Sequence, residues 1–129
     1  MSVKILSVAK QLPKHTRETK DIIPFVKLWM QGQETRFQRK VLKLFEGAGV
    51  DRRYSIMDAE EVFLNSSFED KNKIYVREVT TLAEQSLKKS LEKASLQPTD
   101  IDYIITVSCT GIMIHSVDAY LINSLQMRQ

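Results

Sequence analysis

Apolar residues along the chain fall into two kinds of pattern, one alternating and one helical. Val3 to Val8 alternates apolar with polar or small residues, which predicts a short strand closed by Pro13 and a polar loop over Lys14 to Lys20. A helix follows over Asp21 to Gln31, with Pro24 in its first turn, Phe25, Leu28 and Trp29 on one face, and Gly32 as its stop. Thr35 is placed to cap a second helix, about Arg36 to Glu46, burying Phe37, Val41, Leu44 and Phe45 and ending at Gly47 and Gly49. Asp51 to Asp70 has no clean period and reads as loop with a helical turn.

The strongest helical pattern runs from Asn72 to Ser95, where Val79, Ala83, Leu87 and Leu91 recur every fourth residue and Glu84 precedes Lys88 by one turn. Gln97-Pro98-Thr99-Asp100 breaks it. Ile101 to Ser108 is then a nearly continuous β-branched and aromatic run, the pattern of a strand covered on both faces. Ser116 suits an N-cap and Asp118 the positive end of a last helix, which turns Leu121, Ile122 and Leu125 inward. Two strands separated by most of the chain make a poor sheet, because a central strand needs partners on both edges. The expectation is therefore one piece of a larger α/β protein.

Composition changes this picture little. The 129 residues are 43% apolar and 27% charged, ordinary for a globular domain. No apolar run is long enough to span a bilayer and no signal-like block opens the chain, so no membrane partner is expected and the cytoplasm is the expected compartment. A single cysteine excludes an internal disulfide, and two distant histidines, His15 and His115, give no metal-ligand spacing. A net charge of +3 with interspersed acidic residues speaks against a nucleic-acid partner. Arg36, Lys40 and Lys43 nevertheless share one stripe of the second helix, a candidate local anion site.

The order Lys4-Ile5-Leu6-Ser7-Val8, Arg52-Arg53-Tyr54, the long helix, Gln97 to Ile105 and then Cys109-Thr110-Gly111 resembles the start of chalcone and stilbene synthases, the type III polyketide synthases. The resemblance implies an α/β fold, the N-terminal portion of a thiolase-like αβαβα architecture, incomplete as it stands, with residues 1–129 forming a single segment of one domain. It implies an acyltransferase in which malonyl-coenzyme A is decarboxylated and condensed onto an acyl-coenzyme A starter, both being substrates, with no further cofactor. It also implies a homodimer, with the remaining polyketide synthase chain as a further partner.

Cys109 is the chain's only cysteine and stands where a strand meets a helix, which invites its assignment as a nucleophile. The resemblance implies otherwise. The family's nucleophile belongs to a later Gly-Cys motif, and its catalytic histidine and asparagine lie farther on, so no catalytic residue is expected within these 129 residues and the segment alone should be inactive. Cys109 and Thr110 instead match positions that line the acyl pocket, Met113 and Ile114 a loop that reaches across the dimer, and Lys40 and Lys43 two basic coenzyme A contacts. A third such basic position is Gly47 here, and His115 stands where the family has proline, which predicts a trans peptide bond before it. Arg52, Arg53 and Tyr54 are read first as structural ion pairing. Two alternatives remain: a ketoacyl synthase of the same fold that primes fatty-acid synthesis, and a non-catalytic module for coenzyme A binding and dimerisation.

Overall fold

The computed structural model describes residues 2–65 and 67–128. It divides into two compact units, residues 13–71 and residues 2–12 with 72–128.

In the first unit, β1 (His15–Glu18) pairs antiparallel with β2 (Arg52–Ser55), in the register His15 to Ser55, Thr16 to Tyr54, Arg17 to Arg53 and Glu18 to Arg52. Both lie where loop was expected. The segments are too short and polar to announce a strand, but each supplies the other's backbone partners, so the ribbon needs no apolar run. Glu18 faces Arg52 across the ribbon with opposite charge. The like-charged pair Arg17 and Arg53 is relieved by diverging partners: Arg17 chelates Asp58 through Nη2 at 2.8 Å, and the Arg53 guanidinium lies 4.9 Å from the centre of the Phe45 ring while its Nε donates to the Thr19 hydroxyl.

Helix α1 (Thr19–Trp29) follows β1 directly. Its buried stripe is Ile22 and Val26, continued by Met30 just past the helix end, because steps of four rotate only slightly around a 3.6-residue helix. Leu28 and Trp29 fall off that stripe and are about half exposed, contrary to the sequence expectation, while Phe25 is partly buried against the core. Gly32 ends the turn with φ +83°, a conformation that side-chain-bearing residues avoid. In α2 (Thr35–Gly47) no residue is fully buried. Val41, Leu42 and Phe45 pack on the core of Ile22, Val26, Met30 and Ala59, whereas Phe37 and Leu44, expected inside, are exposed. A π-helical turn, Glu61–Asn65, adds Phe63 to the same core.

Helix α3 (Phe68–Ala94) starts earlier than its apolar period suggests, because Ser67 caps it. The Asp70 N–H donates to the Ser67 hydroxyl oxygen at 3.1 Å, and that hydroxyl donates back to the Asp70 carboxylate at 2.5 Å. The helix ends in a left-handed residue, Ser95, with the Leu96 N–H bonded to the Leu91 carbonyl. In the second unit α3 buries Tyr75 and Leu91, and α4 (Val117–Ser124) buries Leu121 behind its N-cap Ser116. Gln97 and Asp100 close a short 3₁₀ turn, Pro98–Asp100.

The two strands expected from the apolar pattern are extended but pair with no strand among the described residues. Residues 2–12 lie along α3, where the Ser7 hydroxyl donates to the Ser90 carbonyl at 2.8 Å and Lys93 donates to the Val8 carbonyl. In 101–108 burial does not alternate, and the run is not covered on both faces as its apolar pattern predicted: Ile101 and Ile104 are half-buried, the other six residues are exposed, and Tyr103, Ile105 and Val107 are 90%, 87% and 92% exposed. No helix among the described residues is long and apolar enough to cross a membrane.

Candidate functional site

The extended run 101–108 ends in a bend at Cys109 and Thr110 that delivers the chain to α4. Two α3 side chains one turn apart hold this bend. The Tyr75 hydroxyl and the Ser108 hydroxyl are 2.6 Å apart, and Gly111 passes so close to the buried Tyr75 ring that a Cβ there would stand 2.2 Å from Cδ1. Asn72 meets both backbone groups of Ile112: its Oδ1 accepts from the Ile112 N–H at 2.8 Å and its Nδ2 donates to the Ile112 carbonyl at 3.0 Å. Sequence reasoning missed both residues, although Asn72 and Tyr75 sit at i and i+3 on the strongest helix, so they share a face.

A cavity of about 330 Å³ opens beside the bend, lined by Tyr75, Val79 and Ala83 of α3, by Thr106, Val107, Ser108, Gly111 and Met113, and by Ser116 and Val117 at the start of α4. Cys109 and Thr110 stand at its edge, both exposed, and their side chains are outside its lining. Met113 is half-buried and lines it; Ile114 is 91% exposed. The peptide bond between Ile114 and His115 is cis, not trans as expected. Asp118, bonded to two of the lining residues, has its carboxyl pKa below the ordinary aspartate range, held as carboxylate first by a hydrogen bond from the Ser116 hydroxyl and then by one from Thr106.

The second candidate belongs to residues 13–71. Along α2, Arg36, Arg39, Lys40 and Lys43 are all exposed and, with Glu34 and Thr35, border an open cleft of about 520 Å³. None of these four cations takes part in an ion pair among the described residues. Arg39 was not singled out from the sequence, although it completes the i, i+3, i+4, i+7 spacing. Arg53, by contrast, is structural, through Phe45 and Thr19 rather than through an acidic partner. Arg17 holds the Asp58 carboxyl below its ordinary range and, with Arg53, borders a smaller cavity of about 240 Å³. Both of its arginines are thus already engaged by protein groups.

The class of fold follows from comparison with solved structures. The crystal structure of 1,3,6,8-tetrahydroxynaphthalene synthase from Streptomyces coelicolor, a bacterial type III polyketide synthase, superposes with a TM-score of 0.76 over 95% of this chain and 36% of that one, at 30% identity. The architecture is accordingly thiolase-like, represented here in part. Among curated proteins, the S. coelicolor 1,3,6,8-tetrahydroxynaphthalene synthase is 42% identical over 84 residues, 65% of this chain and 22% of the relative. Phloroglucinol synthase of Pseudomonas fluorescens is 29% identical over 85 residues, 66% of this chain and 24% of the relative. The chain is therefore a homologue of the type III polyketide synthases, and it spans about a quarter of the length of the curated relatives it matches. No protein-family model matches it.

Proposed function

We propose that this chain supplies one wall of the acyl-accepting cavity, together with part of the coenzyme A site, of a type III polyketide synthase-like acyltransferase. The carrying observation is the bend at Cys109 and Thr110, which closes an extended run beside a cavity in a chain homologous to tetrahydroxynaphthalene synthase. In the reaction proposed for the whole enzyme, a malonyl thioester loses carbon dioxide. The electron pair left on its α-carbon forms a carbon–carbon bond to an acyl thioester carbonyl, and a thiolate leaves. Within it the bend at Cys109 and Thr110 borders the cavity between the lining residues Ser108 and Gly111, with no covalent step assigned to Cys109. Lys40 and Lys43 meet the phosphates of coenzyme A as point charges, in keeping with their unpaired, exposed setting.

Met113 and Ile114 form the loop that contacts a second protomer, and the 91% exposure of Ile114 supports that role. Residues 1–129 act as one segment of a larger thiolase-like domain, in partnership with the polypeptide that carries the family's nucleophile, histidine and asparagine. The cytoplasm, where acyl-coenzyme A is found and a lone thiol stays reduced, is the working compartment.

Incubating the chain with acetyl- and malonyl-coenzyme A is expected to give no condensation product and no acyl adduct by intact mass. A stable acyl thioester on Cys109 would overturn its assignment as cavity wall. Coenzyme A titrated into the chain is expected to bind at least tenfold more weakly after Lys40→Ala with Lys43→Ala. Equal binding, or none at millimolar ligand, would remove the phosphate role. Binding without acyl contact at Cys109 would favour the non-catalytic coenzyme A module instead.

A further inference from the structure

We propose that Asn72 and Tyr75 are positioning residues for the cavity wall, acting together as a clamp that fixes Ser108, Gly111 and Ile112 so that Cys109 and Thr110 are presented from a rigid bend. The proposal rests on the reading of Cys109 and Thr110 as wall residues.

A carboxamide has the same donor and acceptor arrangement as a peptide unit. With Nδ2 on the Ile112 carbonyl and Oδ1 on the Ile112 N–H, Asn72 does for Ile112 what a neighbouring strand would do, in a segment that has no neighbouring strand among the described residues. One turn farther along α3, Tyr75 grips the other end of the bend: its hydroxyl meets Ser108 at 2.6 Å and its buried ring seats Gly111 at a distance only glycine permits. The anchored positions bracket Cys109 and Thr110, whose own side chains stay exposed. Such an arrangement holds backbone while leaving side chains to face a ligand. A wall built on a loop needs this support, since a displacement of about 1 Å at a site is enough to degrade it.

Because Cys109 is the chain's only cysteine, a nitroxide can be attached to it without other substitutions. Its spectrum reports the motion of the bend, while amide hydrogen exchange reports the clamp directly. In Asn72→Ala the Ile112 amide is expected to exchange at least tenfold faster, with the Leu91 and Leu121 amides within twofold of the parent. Asn72→Asp, which keeps the acceptor for the Ile112 N–H but loses the donor to its carbonyl, should retain most of the Ile112 protection. Tyr75→Phe keeps the ring beneath Gly111 and loses the hydroxyl. It should mobilise the Cys109 label, as should Ser108→Ala, and the double variant should do no more than either single one.

An Ile112 amide that accelerates only in step with Leu91 and Leu121 would overturn the clamp, leaving Asn72 a merely stabilising residue. So would an unchanged Cys109 label in both Tyr75→Phe and Ser108→Ala, variants mild enough to judge the proposal should Asn72→Ala fail to fold. The wall reading fails separately: millimolar acetyl-coenzyme A that perturbs neither the Cys109 label nor the amides around it would remove the wall and leave the clamp standing.

Discussion

The extended segments of residues 13–71 pair with each other, whereas those of residues 2–12 and 101–108 pair with no strand among the described residues. The paired segments are the polar ones, His-Thr-Arg-Glu and Arg-Arg-Tyr-Ser. The unpaired ones are the apolar ones. The first unit satisfies its backbone locally and stacks helices around Val26 and Met30, both fully buried. The second anchors extended chain through side chains of α3, with Asn72 and Lys93 reaching backbone groups and Tyr75 and Ser90 meeting the hydroxyls of Ser108 and Ser7, and leaves the apolar residues Tyr103, Ile105 and Val107 open. Apolar pattern thus marks where a strand can be buried, while pairing depends on which backbone lies within reach.

The sharpest way to break this contrast is to cut into each unit. Met30→Ala, at a fully buried position, should cost about 2–5 kcal/mol in urea unfolding. Gly111→Ala puts a methyl group into the Tyr75 ring and should cost about 1–3 kcal/mol, with the loss of the Tyr75–Ser108 hydrogen bond visible by NMR. Ile105→Ser with Val107→Ser, at positions open to solvent, should change stability by no more than about 0.5 kcal/mol while reducing self-association in sedimentation velocity. A cost comparable to that of Met30→Ala would show that this row is covered in solution.

The smallest effect concerns acid. Arg17 lowers the Asp58 pKa in the folded chain, so the stability this pair contributes is present above the ordinary carboxylate value, about pH 4, and is lost as pH falls through the lower folded value. Asp58→Asn should therefore flatten the loss of stability below about pH 4 and leave the second unit's amide exchange unaltered. An unchanged acid limb would show that the carboxylate is not coupled to folding.

Much of the helical frame was legible. The fourfold recurrence of Leu and Ala located α3, Gly32 marked the end of α1, and Ser116 began α4. The buried face of α1 was not, since Phe25, Leu28 and Trp29 fit the helical period as well as Ile22, Val26 and Met30 do, and only packing against the rest of the unit buries the second set. Of the candidate site, the turn from Cys109 to Ile114 was recognisable by resemblance and the basic stripe by spacing. The residues that hold the turn were not, since nothing in the spacing of Asn72 and Ile112 shows that they meet.

By itself the sequence determined what depends on neighbours within a few residues: helix period, capping, breaks, and the runs of branched side chains that favour extended backbone. Tertiary structure alone decided which extended segments find partners, which face of α1 is buried, and which α3 side chains carry the bend. Those outcomes depend on groups far apart in sequence, and a hydrogen bond or a buried face exists only once both partners are in place.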